Sequence, residues 1–247
     1  MKLTKILMGM PITIEVESKK NPSKIIKKAY EYFEYVDTKF SPYKEISEIT
    51  KFNNGWITKK NTSKDFKEIL SKSSKTKKET DGYFDIYRNG FIDPSGIVKG
   101  WGIFNASKII KENGFDNFYI EAGGDIEAQG KNKDGQSWRF GIRNPFNKKE
   151  IVKIISLSNK GVATSGLYER GNHIYNPHDM DDKLDKVVSL TVIGKNIYEA
   201  DRFATAAFAM GEKGIYFIEG RRGFEGYMIK KDGRAMGTSG FNKYEVD

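Results

Sequence analysis

The sequence predicts an α+β fold: one domain over residues 1–247, with a mainly antiparallel sheet and helices packed against it. Three observations carry that prediction. Several short stretches alternate apolar and polar residues, as half-buried strands do, and others repeat apolar residues at helical spacing. No internal repeat or low-complexity linker divides the chain. With 38% hydrophobic and 13% aromatic residues, it has enough apolar surface to bury a core, which excludes a disordered chain.

In chain order, residues 11–17 alternate, with Ile12, Ile14 and Val16 on one side, and read as a strand. Asn21-Pro22 opens a helix, Asn as cap and Pro at the first helical position, whose apolar residues run from Ile26 through Phe33 to Phe40. Ser41-Pro42-Tyr43 breaks it, and a short helix resumes towards Asn53-Asn54-Gly55. A second amphipathic helix spans about Ser63 to Thr76. Thr80 to Asp85 is a turn leading towards Asp93, and a helix from near Val98 runs to the stop at Asn113-Gly114. Strand patterns follow at 118–120, up to Ala128, at 138–142, 151–157, 162–164 and 187–193. A compact helix, Glu199 to Met210, ends at Gly211, and the polar, Gly-rich stretch from Asp232 on has no readable pattern.

Lys plus Arg exceed Asp plus Glu by 42 to 33, and residues 1–80 alone hold 18 Lys against 10 acidic residues. Those lysines fall mostly on the polar faces of the two early helices, so the charge reads as a solvated surface rather than a nucleic-acid interface. The absence of Cys excludes disulfides, thiolate metal sites and cysteine nucleophiles. The apolar run before Pro11 is too short for a signal peptide, and no run approaches the ~18 residues of a membrane span. A cytoplasmic protein without a transmembrane segment is expected.

Three groups of residues suggest chemistry. In Asp93-Pro94-Ser95-Gly96-Ile97-Val98-Lys99-Gly100, a Gly-rich turn runs into a helix. Such a junction offers unpaired N–H groups and the positive end of a dipole to an anion, and Lys99 adds a charge; a plain loop-to-helix junction has the same pattern. Asp201 and Thr205, four apart on the late helix, form an oxygen pair suited to Mg²⁺, unless Asp201 merely serves the helix dipole and Thr205 back-bonds to the turn before it. The only two histidines lie together in His173-Ile174-Tyr175-Asn176-Pro177-His178, and imidazole suits taking a proton from a hydroxyl near neutral pH.

Met8-Gly9-Met10, Ser41-Pro42-Tyr43, Gly82-Tyr83-Phe84-Asp85, the 93–100 turn, Gly123-Gly124-Asp125, Trp138-Arg139-Phe140-Gly141-Ile142-Arg143-Asn144-Pro145, Val162-Ala163-Thr164-Ser165-Gly166 with Tyr168-Glu169-Arg170, His173 to Pro177, and Ala200 to Ala206 follow one another in an order that resembles the ApbE family of FAD:protein FMN transferases. The resemblance covers roughly residues 8–229. It implies Mg²⁺-dependent transfer of FMN from FAD to a Thr or Ser of a target flavoprotein through a phosphoester, with release of AMP. It also implies a metal held by the Gly96 carbonyl, Asp201 and Thr205, and contacts from FAD to Met8, Tyr43, Tyr83, Phe84, Asp85, Asp93, Lys99 and Tyr175. His173 matches the residue that acts as base towards the target hydroxyl; Lys99 and the Mg²⁺ that Asp201 helps to hold would neutralise charge during transfer. The family pattern has Asp where this chain has Asn176, so no carboxylate beside His173 is carried over. Hydrolysis of FAD to FMN and AMP on the same site, and flavin binding without catalysis, are the alternative functions.

Overall fold

The computed structural model describes residues 1–147, 149–166, 174–181 and 183–246. The alternation over 11–17 forms a strand, β2 (Met10–Val16), and the residues before it form another, β1 (Lys2–Leu7). They pair from Lys2↔Glu15 to Leu7↔Met10 around Met8-Gly9, whose φ angles of +54° and +73° are the left-handed pair a tight hairpin requires. Six further strands extend this sheet: β5 (Phe118–Ala122), β6 (Asp125–Gln129), β9 (Lys160–Gly166), β10 (Val187–Gly194), β11 (Glu225–Lys230) and β12 (Ala235–Gly237). The order is β1-β2-β5-β6-β9-β10-β11-β12, and every neighbouring pair is antiparallel.

The helices cover one face of that sheet. They are α1 (Ser23–Phe40), α2 (Glu48–Asn53), α3 (Lys64–Glu79), α4 (Ser95–Glu112), α5 (Ile197–Ala209) and α6 (Gly214–Glu219). Pro22, not Asn21, is the residue that flanks α1, and Asn21 Oδ1 accepts the Ser23 N–H at 2.9 Å to close the turn ahead of it. Ser63 caps α3 by accepting the Phe66 N–H at 3.2 Å. Ile12, Ile14, Phe118, Ile120, Leu190 and Val192 on the sheet meet Ile26, Phe33, Ile103, Phe203 and Phe208 on α1, α4 and α5. A second apolar cluster, with Val36, Phe40, Ile69 and Trp101, joins α1, α3 and α4 beneath a small hairpin of β3 (Tyr87–Arg88) and β4 (Phe91–Ile92). Arg202 of α5, almost fully buried, pairs with Glu199 at 2.5 Å and with Glu79 at the end of α3, which ties the two helices together.

Strand residues alternate between faces, and Tyr119, Ile126, Val162 and Ile193 point to the face away from the helices. They carry a three-stranded sheet in the order β13 (Glu245–Val246), β8 (Ile151–Leu157), β7 (Trp138–Arg143), through Trp138, Ile142, Ile155 and Leu157. The stretch from Asp232 on therefore contributes a strand to each sheet. Among the described residues, no helix is long and apolar enough to cross a membrane.

Candidate active site

α4 begins at Ser95, three residues before the expected start near Val98. Asp93 prepares that start: its Oδ1 accepts the Ser95 N–H at 3.0 Å, while its own N–H donates to the Ile86 carbonyl at 2.8 Å. Gly96 thus lies in the first helical turn, with Lys99 and Gly100 inside the helix. Gly100 is required by helix packing rather than by a ligand, because a Cβ there would lie 2.6 Å from Asp201 Cβ and 3.0 Å from the Ile197 carbonyl. At this contact α4 and α5 approach closely enough for the Gly100 N–H to donate to Asp201 Oδ2 at 2.8 Å.

That contact brings the oxygen donors together. The regular helical acceptor for the Gly100 N–H is the Gly96 carbonyl, and sharing the hydrogen with Asp201 leaves that carbonyl lone-pair capacity. Thr205 Oγ1 lies 3.4 Å from the Gly96 oxygen. Adjacent oxygens around Mg²⁺, each about 2.1 Å from the ion, lie ~3 Å apart, so this pair fits neighbouring corners of such a shell. Asp201 is 4% exposed and the sole carboxylate of the set, so a ligand in the cleft would supply the remaining negative charge, as a diphosphate does. Among the described residues, no cluster of three or more His, Cys, Asp or Glu offers a rival metal site.

Lys99 is set by a buried partner. Its Nζ lies 2.8 Å from Asp125 Oδ2, and the Thr164 N–H donates to the other Asp125 oxygen at 3.1 Å. Gly96, Lys99, Asp201 and Thr205 border one cleft of about 520 Å³, within the usual range for small-molecule sites. A smaller pocket of about 60 Å³ adjoins it through Ser95, Gly96 and Thr205, and is walled by Tyr83, Phe84, Asp85, Asp93 and Tyr175. The Tyr175 hydroxyl lies 3.1 Å from the Asp85 carbonyl and 3.0 Å from that of Tyr87, and the Arg88 guanidinium sits 4.6 Å from its ring centre. Burial, and after it the Asp85 charge, push the Tyr175 phenol above its ordinary pKa, so it remains a neutral donor. Asp85 itself pairs with Lys77 at 2.5 Å.

Two of the expected FAD contacts border neither space. Tyr43 is 96% exposed on the segment after α1, and Met8 packs in the β1–β2 turn, where Gly9, Met10 and Pro11 are the residues that line the cleft. His173 lies outside the described residues. His178 ties its own turn to the end of α3, since its Nε2–H donates to the Asp81 carbonyl at 2.8 Å and its ring meets Tyr83 edge-on at 4.5 Å. Asn176 Oδ1 accepts the His178 N–H at 3.0 Å, so this amide serves the same turn.

One supporting residue has no place among the sequence motifs. Glu127, fully buried, accepts the Ile197 N–H at 2.6 Å and so anchors the start of the helix that carries Asp201 and Thr205. The available signal was period two: Asp125 and Glu127 share a face of β6, and two acids on the covered face of a strand need partners. Burial raises the Glu127 carboxyl from 4.5 to about 7 against the pull of the Ile197 and Gln129 donors. The folded state then holds a proton that the unfolded state loses, so this contribution is full below pH 4.5 and falls away as pH rises to about 7. A shift of this size corresponds to about 3 kcal/mol at most. Glu127→Gln should remove the dependence: the stability advantage of wild type over the variant, from urea unfolding, should shrink by up to that amount between pH 5 and pH 8. An advantage that does not change with pH would contradict the raised pKa.

Fold and site together define the class: an α+β protein with a cleft bordered by a lysine and by a set of oxygen donors suited to a divalent cation. The model of the ApbE family matches residues 8–91 and 87–228, and the chain belongs to that family. It is 34% identical over 132 residues to an FAD:protein FMN transferase of Vibrio cholerae, an alignment covering 50% of this chain and 40% of the relative. A Haemophilus influenzae protein of the same name is 24% identical over 78% of this chain and 75% of its own. The chain thus spans less than half the length of the first curated relatives it matches. Its fold is that of the flavin transferase ApbE from Vibrio cholerae (TM-score 0.86, 23% identity, 99% of this chain and 98% of that one). It is equally that of the ApbE protein of Thermotoga maritima (TM-score 0.88, 22% identity, 100% and 99%).

Proposed function

We propose that this protein transfers FMN from FAD to a Ser or Thr hydroxyl of a target flavoprotein in an Mg²⁺-dependent reaction that releases AMP. The observation that carries the reading is the meeting of Asp201, Thr205 and the Gly96 carbonyl, on helices about a hundred residues apart in sequence, in the cleft that Lys99 borders. The names of the relatives agree with it. In the reaction the acceptor oxygen bonds to the FMN phosphorus, the P–O bond to the AMP phosphate breaks, and AMP leaves with the bonding pair.

The residues then divide the work. Asp201, Thr205 and the Gly96 carbonyl hold the cation, which when bound neutralises charge on the phosphate oxygens. Lys99 offers its ammonium to a phosphate oxygen, and Asp125 fixes its direction. The aromatic walls at Tyr83, Phe84 and Tyr175 suit a planar ring of FAD. His173 takes the proton of the acceptor hydroxyl. The test is to incubate the protein with FAD, Mg²⁺ and candidate flavoproteins and to look for in-gel flavin fluorescence that survives denaturation and disappears with EDTA. If FAD and Mg²⁺ give neither protein-bound flavin nor AMP, the reading is wrong.

A further inference from the structure

We propose that the free edge of β7 is the docking track for the acceptor polypeptide, and that it takes an extended, acidic segment of that protein. The inference rests on the transfer reaction above, in which the second substrate is a stretch of protein that must enter the cleft. Five consecutive residues of β7, Arg139 to Arg143, border the cleft. A strand turns alternate residues to a surface with its face, and consecutive ones only along its edge. Among the described residues, β7 pairs with β8 alone, so the other edge carries backbone N–H and C=O groups without a strand partner. Such an edge is a template for an added strand.

The side chains specify what kind of strand. Arg139, Gly141 and Arg143 are the exposed positions of β7 and share one face. Gly141 lies between the two arginines on that face, with the Ile151 side chain packed against it: a Cβ there would lie 2.6 Å from Ile151 Cδ1. Among the described residues Arg143 has no ion-pair partner. The Arg143 guanidinium on this open edge matches a carboxylate of an incoming strand, with which it can form a bidentate hydrogen bond, and Arg139, four residues away on the same face, adds to the positive charge there. Gly96, Lys99, Asp201 and Thr205 border the same cleft, so a hydroxyl in a segment docked on β7 enters the space where the phosphates would lie.

The test uses eight-residue peptides with a central Thr, flanked either by Asp or by Lys, and an Asp-flanked version methylated at alternate backbone nitrogens. Binding to the FAD-loaded protein is read by fluorescence anisotropy, FMN attachment by mass, and AMP release with water alone as a separate reaction. Wild type should bind the Asp peptide about tenfold or more tightly than the Lys peptide, and backbone methylation should cost about as much. Arg143→Glu should reverse the charge preference while FAD affinity and AMP release stay unchanged. Equal use of Asp and Lys peptides, no binding of either, or no effect of methylation would overturn the track, even where AMP is released normally. A tenfold loss of FAD affinity in Arg143→Glu would overturn it too, by assigning the arginine to the nucleotide. Charge-selective peptide binding without any Mg²⁺-dependent cleavage of FAD would remove the transfer reaction and with it the acceptor role of the edge.

Discussion

Asp201→Asn is expected to abolish transfer while leaving the protein folded. The substitution keeps the size of the side chain and leaves one oxygen to accept the Gly100 N–H, the contact that joins α4 to α5. The amide NH2 then replaces the other carboxylate oxygen, so a donor stands where a hard cation needs a negative acceptor. Because Asp201 is the only carboxylate among the three proposed donors, no neighbour restores the lost charge. Charge stabilisation by a metal is worth several kcal/mol, and each 1.4 kcal/mol is a factor of ten, so transfer should fall about 10³-fold or more. Mn²⁺ titration followed by electron paramagnetic resonance should reveal the weakened site directly, and circular dichroism should be unchanged. Thr205→Val, which removes a neutral ligand and keeps the shape, should be milder and partly rescued by high Mg²⁺. Metal-dependent transfer at the wild-type rate in Asp201→Asn would sink the shared site.

Much of this site is local in sequence and therefore legible there. Asp201 and Thr205 stand one helical turn apart, and the period of the flanking apolar residues Phe203, Ala204 and Ala207 already shows that the segment is a buried helix. The joint between Gly96 and Thr205 is not local, and in the sequence only the ordered motifs of the family resemblance point to it. The early start of α4 was hidden because Pro, Ser and Gly are poor helix formers, yet at a first turn Pro loses no hydrogen bond and the Asp93 side chain closes the turn ahead. By contrast, Asn89-Gly90, with φ of +51° and +82°, is a strong local hairpin signal between Asp85 and Asp93. The strands β12 and β13 had no such signal. Their segments, three and two residues long, are strands only because β11 and β8 offer them backbone partners.

Gly100→Ala tests the joint from the other side, because two opposing effects can be weighed. In an isolated helix, Ala is preferred to Gly by about 1 kcal/mol. In this helix the new methyl would lie 2.6 Å from Asp201 Cβ and 2.8 Å from its Oδ2, where carbon atoms normally approach no closer than about 3.5 Å. The side chain of Asp201 cannot swing clear without giving up the Gly100 N–H, and the Ile197 carbonyl at 3.0 Å blocks the other direction with backbone. α4 and α5 must separate by something approaching 1 Å. Overpacking of this kind costs about 1–3 kcal/mol, which outweighs the gain in helix propensity. Displacing Asp201 by that distance from Gly96 and Thr205 should slow transfer about 10²-fold. Gly102 provides the control on the same helix, since a Cβ there meets only the two Val36 methyls, at an ordinary 3.5 and 3.8 Å. Gly102→Ala should therefore leave transfer intact and raise the midpoint of urea unfolding, whereas Gly100→Ala lowers both. If Gly100→Ala instead stabilised the protein and kept its activity, the close approach of α4 and α5 around Asp201 would not be what holds the site together.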